Sequence, residues 1–241
     1  MIDKHPAYGI KRIKAELEAS CQVVVGRDTL GKLLKLWGLG LRRKMRANKQ
    51  SMIQKILLAI AGRANLLIRT VIIRPLQAIT SDITELKYGG GKAYLCVHKD
   101  VFGQMVYGWS LGLTMEARLV MASFEAAKKA IKPFRQNMEK IVFHQDRGSQ
   151  YTGYAYVAEV LKDDVLSYSD PGTPTHNPGQ ESFFGRFKDE WKEEIAEIQT
   201  FEKLEMFVAE KIHYYNYERR HTSIDYISPW DYTQTFLKKT A

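Results

Sequence analysis

A small all-α segment followed by an α/β unit, a mixed sheet flanked by helices, is the fold class this sequence predicts. Three observations lead there. Residues 1–76 hold 16 basic and 4 acidic side chains, whereas residues 77–241 hold 20 and 23, so all of the excess behind the net charge of +9 lies in the first third. The apolar pattern changes from helical spacing to strand-like runs near residue 77. The composition, 45% apolar, 11% aromatic and 26% charged over 241 residues, is that of a globular chain with a real core. A basic arm on a near-neutral second unit suggests a nucleic-acid partner.

The elements follow in order. Ile10, Ile13 and Leu17 share a helical face in IKRIKAELEA. Asp28 or Thr29 is placed to cap a second helix, TLGKLLKLWG, with Leu30, Leu33, Leu34 and Trp37 on one face and Gly38 and Gly40 at its end. The basic run LRRKMRANK comes next, so the pair reads as a helix-turn-helix with a basic extension. Ser51 and Gln54 form a capping box for a third helix that Gly62 ends. The expected boundaries are therefore a DNA-binding segment at 1–62, an extended linker at 63–76, and a second unit at 77–241.

That second unit opens with strands at 77–86, 92–99 and 104–112, rich in Ile, Val, Tyr, Trp and Leu. Gly89-Gly90-Gly91 makes the first turn and Phe102-Gly103 the second. Thr114 caps the helix EARLVMASFEAAKKAI, which stops near Pro133. A short buried strand KIVFH, a helix at 154–162, the strand VLSY, and helices near 179–197 and 201–218 complete the order. Three antiparallel strands, helix, strand, helix, strand, helix is the arrangement of ribonuclease-H-like folds.

Several classes are excluded. No apolar run approaches the roughly 18–20 residues of a membrane span, and MIDKHPAYGIKRIK has no uninterrupted apolar stretch of a signal peptide. Cys21 and Cys96, the two cysteines, make neither a disulfide framework nor a zinc site, and read as small buried hydrophobes of a reducing cytosol.

Three acids stand in structured contexts. Asp82 lies within the first strand, with Thr80 and Thr84 on its face. Asp146 follows KIVFH, where the chain leaves the sheet, and strand carboxyl ends are where α/β sheets hold ligands. Glu181 opens a helix after Asn177-Pro178-Gly179. Like charges at about 4 Å cost on the order of 4 kcal/mol per pair at an effective dielectric near 20. Divalent cations relieve this, and oxygen-only ligands favour Mg²⁺ or Mn²⁺ over zinc. Two such ions about 3.5–4 Å apart serve phosphodiester chemistry by stabilising the attacking and leaving oxygens.

The segments TSDIT, HQDRGSQYT, NPGQESFFGRFKDEW and YYNYERRHTSIDYISP resemble bacterial insertion-sequence transposases with a retroviral-integrase-type catalytic core, and HPAYGIKRI resembles the helix-turn-helix before it. That family spaces its last two acids by about 35 residues; here 34 lie between Asp146 and Glu181. The resemblance runs from about residue 5 to 232. It implies that Asp82, Asp146 and Glu181 are catalytic and bind the metals, the pair of Mg²⁺ or Mn²⁺ ions already suggested by the acids. It implies DNA contacts for Asn177 and for Lys188, which shares a helix face with Glu181 seven residues earlier. Its partners would be duplex DNA at element ends and target, a further copy of the chain assembled on DNA, and an upstream DNA-binding frame product, in a bacterial cytoplasm at the nucleoid. The sequence departs from the family pattern at His176 and Pro178, and at Ala78 and Ile79 where a Trp is frequent.

Other candidates are weighed beside these. Arg42, Arg43 and Lys44 of the basic extension are expected to contact DNA, as are Tyr214, Tyr215, Asn216, Arg219 and His221 through stacking and phosphate contacts; the alternative for the last group is a helix packing its aromatics on the core. His144, two residues before Asp146, either orients substrate or is structural. Gly148 lets the chain turn beside the site. Three functions compete: a transposase that cuts and joins DNA, a structure-selective nuclease of the same fold, and a DNA-binding regulator or inactive remnant.

Overall fold

The computed structural model describes residues 10–39, 65–137, 139–169 and 178–237. The chain divides into two compact units, residues 1–50 and 51–241. In the first, helix α1 (Ile10–Cys21) and helix α2 (Arg27–Leu36) pair through Ile13, Leu30 and Leu34, with Leu17 and Val25 against them. Helix α2 starts earlier than expected. Gly26 is its N-cap and no side chain caps it, while Asp28 sits in the first turn, where a carboxylate suits the helix dipole. Trp37 is 60% exposed rather than on the leucine face, because the helix ends at Leu36 and Gly38 follows at φ +67°. Cys21 is exposed, not buried. Gly40, the expected helix at 51–61, and Arg42, Arg43 and Lys44 lie outside the described residues.

The second unit begins with a correction. Residues 63–76 were expected to be extended, yet Leu66–Arg69 form a short helix, α3. The Asn65 side chain caps it by accepting from the Ile68 amide, and the Leu66 amide donates to Ser167 Oγ at 2.9 Å. Strands β1 (Ala78–Tyr88), β2 (Gly91–Asp100) and β3 (Val106–Gly112) then form an antiparallel meander. Gly89 and Gly90 make a two-residue turn, and a Cβ at Gly90 would fall 2.4 Å from the Gln199 carbonyl, so the turn has no room for a side chain. Helix α4 (Ala117–Ile131) is N-capped by Glu116 rather than Thr114, because the turn after β3 runs two residues longer. Strand β4 (Val142–Gln145), helix α5 (Tyr154–Asp163) and strand β5 (Val165–Tyr168) follow, with β4 parallel to both β1 and β5. The sheet order is β3-β2-β1-β4-β5, which makes β1 central.

Alternation along β1 and β2 separates two cores. Ile79, Cys96 and Phe143 face Val120, Phe124, Tyr156 and Val160 of α4 and α5. Leu86, Leu95 and Val97 face Phe183, Phe187, Leu204, Val208 and Ile212 of helices α6 (Pro178–Glu197) and α7 (Phe201–Tyr217). A last helix, α8 (Pro229–Leu237), was not expected, although Ser228 and Asp231 form a reciprocal capping box: the Asp231 amide donates to Ser228 Oγ at 3.1 Å and that hydroxyl donates to Asp231 at 2.7 Å. Among the described residues, no helix is long and apolar enough to cross a membrane.

Candidate active site

The register of the parallel pair sets the site. Ala78, Ile79 and Thr80 of β1 stand beside Val142, Phe143 and His144 of β4. Continuing that register by two residues brings Asp82 level with Asp146. Neighbouring strands run about 4.8 Å apart and equivalent residues point to the same face. That face is the one covered by α6, whose first turn carries Glu181. The structure thus assigns the three acids to one edge of the central strands, as the sequence suggests.

Each is held differently. Asp82 is partly buried, and its Oδ1 accepts from the Ile83 amide at 2.7 Å. Burial pushes its carboxyl up to about 6; the Ile83 amide opposes this, the charges of Asp146 and Glu181 add to it, and the Lys188 ammonium lowers it. All four groups therefore lie within electrostatic reach of one another's site. Asp146 is exposed, and its Oδ1 accepts from the Gly148 amide at 2.9 Å. A Cβ at position 148 would itself lie 2.9 Å from that oxygen, so Gly148 serves by lacking a side chain. The loop is anchored by Tyr151, whose hydroxyl meets Ser81 Oγ at 3.0 Å and whose carbonyl accepts from the Tyr168 hydroxyl at 3.0 Å.

Glu181 is exposed at a helix N-terminus, where the dipole favours a carboxylate. Its neighbour Gln180 is fully buried and donates to the Thr80 and Val97 carbonyls at 3.0 and 3.1 Å. Gln180 therefore seats the start of α6 on β1 and β2, directly over Asp82. Sequence reasoning passed over it, since a Gln in a helical first turn carries no distinguishing signal. Lys188 lies on the Glu181 face of α6, and among the described residues no carboxylate pairs with it.

Oxygen donors alone, mutual repulsion at Asp82, and two accessible carboxylates are what a divalent cation would relieve and use. The arrangement is open: among the described residues, no three His, Cys, Asp or Glu side chains close into a ligand shell.

The remaining candidates divide. His144 is fully buried between Ser167 Oγ at 2.8 Å and Ser169 Oγ at 3.1 Å, so it ties β4 to β5 and is structural. Tyr215 packs edge-on against Phe183 and donates to the Gln104 carbonyl, the core packing that was the alternative to DNA contact. Asn216 is also turned inward: its amide pairs with both the N–H and the C=O of Val106, at 2.9 and 2.8 Å, closing the edge of β3. Arg219 is gripped by both carboxylate oxygens of Glu190. His221 is buried beside it, and burial with the charges of Arg219, Lys99 and Arg186 holds its imidazole down at about 4. Asn177 lies outside the described residues.

Comparison with known proteins places this geometry. The integrase core domain family matches residues 73–174, and a second integrase core domain family matches residues 165–229. A transposase-like protein of Haemophilus influenzae is 34% identical over 80% of this chain and 87% of its own length. The transposase for insertion sequence element IS904 of Lactococcus lactis is 29% identical over 93% and 87%. Among solved structures, the HTLV-2 integrase catalytic core domain in complex with magnesium superposes with a TM-score of 0.50 at 15% identity, covering 67% of this chain and 98% of that one. A chain of the simian T-cell lymphotropic virus intasome gives a TM-score of 0.55 at 16% identity over 75% and 66%. These likenesses confirm the ribonuclease-H-like fold.

Proposed function

The chain belongs to the integrase-core family of insertion-sequence transposases, and from that membership we propose that Asp82, Asp146 and Glu181 carry out metal-dependent cleavage of DNA at element ends and transfer of the freed 3′ ends to target DNA. The observation that carries this is that Asp82, on β1, and Asp146, just past the end of the parallel neighbour β4, lie close enough for the charges of Asp146 and Glu181 both to raise the Asp82 carboxyl. The three carboxylates would hold two divalent ions, Mg²⁺ or Mn²⁺. Such ions, when bound, stabilise negative charge developing on the attacking and leaving oxygens.

The chain's own residues do the rest. Gln180 fixes where Glu181 starts, and Gly148 with its amide fixes Asp146. Lys188 offers a point charge to a phosphate near the acids; it has no acceptor and so cannot ligate the cations. Asn177 and Arg219 contribute DNA contacts around the site, with His221 neutral and orienting Arg219. Residues 1–62, with Arg42, Arg43 and Lys44, bind duplex DNA through phosphates. The working form on DNA contains more than one copy of the chain and is joined by an upstream DNA-binding frame product.

The test is a labelled duplex carrying the inverted repeats that flank the gene. With Mg²⁺ the protein should give cut ends and joined products, and a chelator should abolish both. Cutting with no end preference and no joining would mark the chain as a structure-selective nuclease instead.

A further inference from the structure

Helix α6 carries a second arrangement on its other side. A cavity of about 280 Å³ lies between α6, α7 and the turn at Thr222 and Ser223. Ser182, Arg186 and Glu190, spaced four apart, line it from α6. At 3.6 residues per turn, Arg186 stands roughly 140° round the axis from Glu181, so the cavity does not open onto the carboxylates.

Its charge is one-sided. Arg186, Lys211 and Arg219 line the cavity against a single acid, Glu190. Glu190 is already spent, since both its oxygens accept from Arg219, at 3.0 and 3.1 Å. Lys211 lies over the Trp191 ring, 4.3 Å from its centroid, and pairs with Glu210 at 2.7 Å. Arg186 is exposed and, among the described residues, has no carboxylate partner.

Beneath the cavity lies Lys99; burial lowers its ammonium to about 8, against the opposing charge of Asp100. Lys99 is 1% exposed, its ammonium donates to Gln104 Oε1 at 2.6 Å, and it lies 3.8 Å from where a Cβ on Gly179 would stand. Gln104 and Gly179 both line the cavity. The combined field reaches His221, whose imidazole Arg219, Lys99 and Arg186 all help to keep uncharged. Cations gathered this way, with hydroxyls at Ser182, Thr222 and Ser223, match a tetrahedral oxyanion: guanidinium forks suit phosphate oxygens and shed water readily. The volume is near the lower end of small-ligand pockets, about 300 Å³.

We propose that this cavity binds a backbone phosphate of the bound DNA, distinct from the phosphate at the carboxylates, with Arg186 as the principal contact. The inference rests on the reading that the chain acts on DNA. It extends the contact already given to Arg219 to a phosphate held mainly by Arg186, and its test needs no catalysis.

The test uses the full chain with chelator present, so that no chemistry occurs. The affinity for a fluorescent duplex is followed against salt for the wild type, Arg186→Gln, Arg186→Glu and Arg186→Lys. Lys129→Gln, an exposed change on α4 across the sheet, is the control. Arg186→Gln should weaken binding roughly three- to tenfold and lower the salt slope by about one. Arg186→Glu should weaken it further, Arg186→Lys should restore most of the slope, and Lys129→Gln should change neither. An Arg186→Gln protein with wild-type affinity and slope would overturn the proposal, as would an equal loss in the control. Inorganic phosphate that binds the wild type while DNA affinity ignores position 186 would also overturn it, marking a free-anion site. Absence of strand transfer by the wild type in Mg²⁺, with these binding results intact, would count against the catalytic reading alone.

Discussion

The two sides of helix α6 are electrostatic opposites. One turns Glu181 and Lys188 toward Asp82 and Asp146, and there negative charge accumulates until burial and two neighbouring acids lift the Asp82 carboxyl to about 6. The other turns Arg186 and Glu190 toward α7, and there burial first, and the charges of Arg219, Lys99 and Arg186 after it, hold the His221 imidazole down at about 4. Each excess is offset only in part from within, the first by Lys188 and the second by the Glu190–Arg219 and Glu210–Lys211 pairs. In a fold selected only for stability both would be costly. The partners proposed above have the opposite sign: cations on the first side, and a phosphate on the second. The difference also bears on what holds them. The acids are fixed by backbone, through the amides of Ile83 and Gly148 and the register of β1 with β4. The cations are fixed by side chains, through Glu190 and Gln104.

That contrast can be broken or sharpened by measurement. The largest effect is expected from metal. Saturating Mn²⁺, at about one hundred times its Kd, should stabilise the wild type by about 2.7 kcal/mol and should do little for Asp146→Asn or Glu181→Gln. Thermal melts with and without metal check this, and equal stabilisation of all three would remove the cation from the carboxylate side.

Next comes Gln180. Gln180→Leu loses two hydrogen bonds to buried carbonyls, a cost of about 1–3 kcal/mol in a denaturant titration. It should also lower the rate of end cleavage while leaving DNA affinity within twofold, because the helix start is misplaced and the phosphate contacts are not. An unchanged cleavage rate per folded molecule would reduce Gln180 to packing.

Asp82→Asn should act in the opposite direction on stability. The folded carboxyl titrates at about 6 against an ordinary 3.8, so ionising it costs the fold. That cost is absent below about pH 4, grows between about pH 4 and 6, and is complete above. The metal-free variant should therefore be more stable than the wild type at pH 8, by an amount on the order of 2 kcal/mol or several degrees in Tm, with the gain gone at pH 4. A variant less stable at pH 8 would show that the acid is not repelled in its site.

The smallest effect belongs to Lys188. Lys188→Ala should reduce the salt slope of DNA binding by about one and weaken affinity equally for all sequences. A loss confined to metal binding would move this lysine from DNA to the ion site.

Much of the first side was legible in the chain, and little of the second. An acid between two threonines in an apolar strand, an acid at a strand end, and the interval to Glu181 are local signals, and in the structure the charges of Asp146 and Glu181 both reach Asp82. Parallel pairing of β1 with β4 is what local patterning could not supply, yet it is what brings the end of β4, and so Asp146, beside β1. Lys99 and Arg186 carry no distinguishing signal in the chain, and the DNA contact expected of Arg219 did not set it beside them; only the fold brings the charges of all three to His221. His144 looked like a site residue because periodicity gives a side chain's face and not its partners, which include Ser167 of β5 and Ser169 just after it. The missed helix α8 did carry a signal, Ser228-Pro229-Trp230-Asp231, a capping box with proline in the first turn. Helix α3 carried less, since four apolar-rich residues suit an extended segment equally well.

The most direct measurement of the central claim is strand transfer of a labelled element end into target DNA in Mg²⁺, comparing wild type with Asp146→Asn at equal DNA occupancy. The wild type should give joined product, and the amide variant, which keeps the shape and removes the charge, should bind the same DNA and fall by at least about a thousandfold in joining. Joining by Asp146→Asn at the wild-type rate would contradict the assignment of catalysis to these carboxylates.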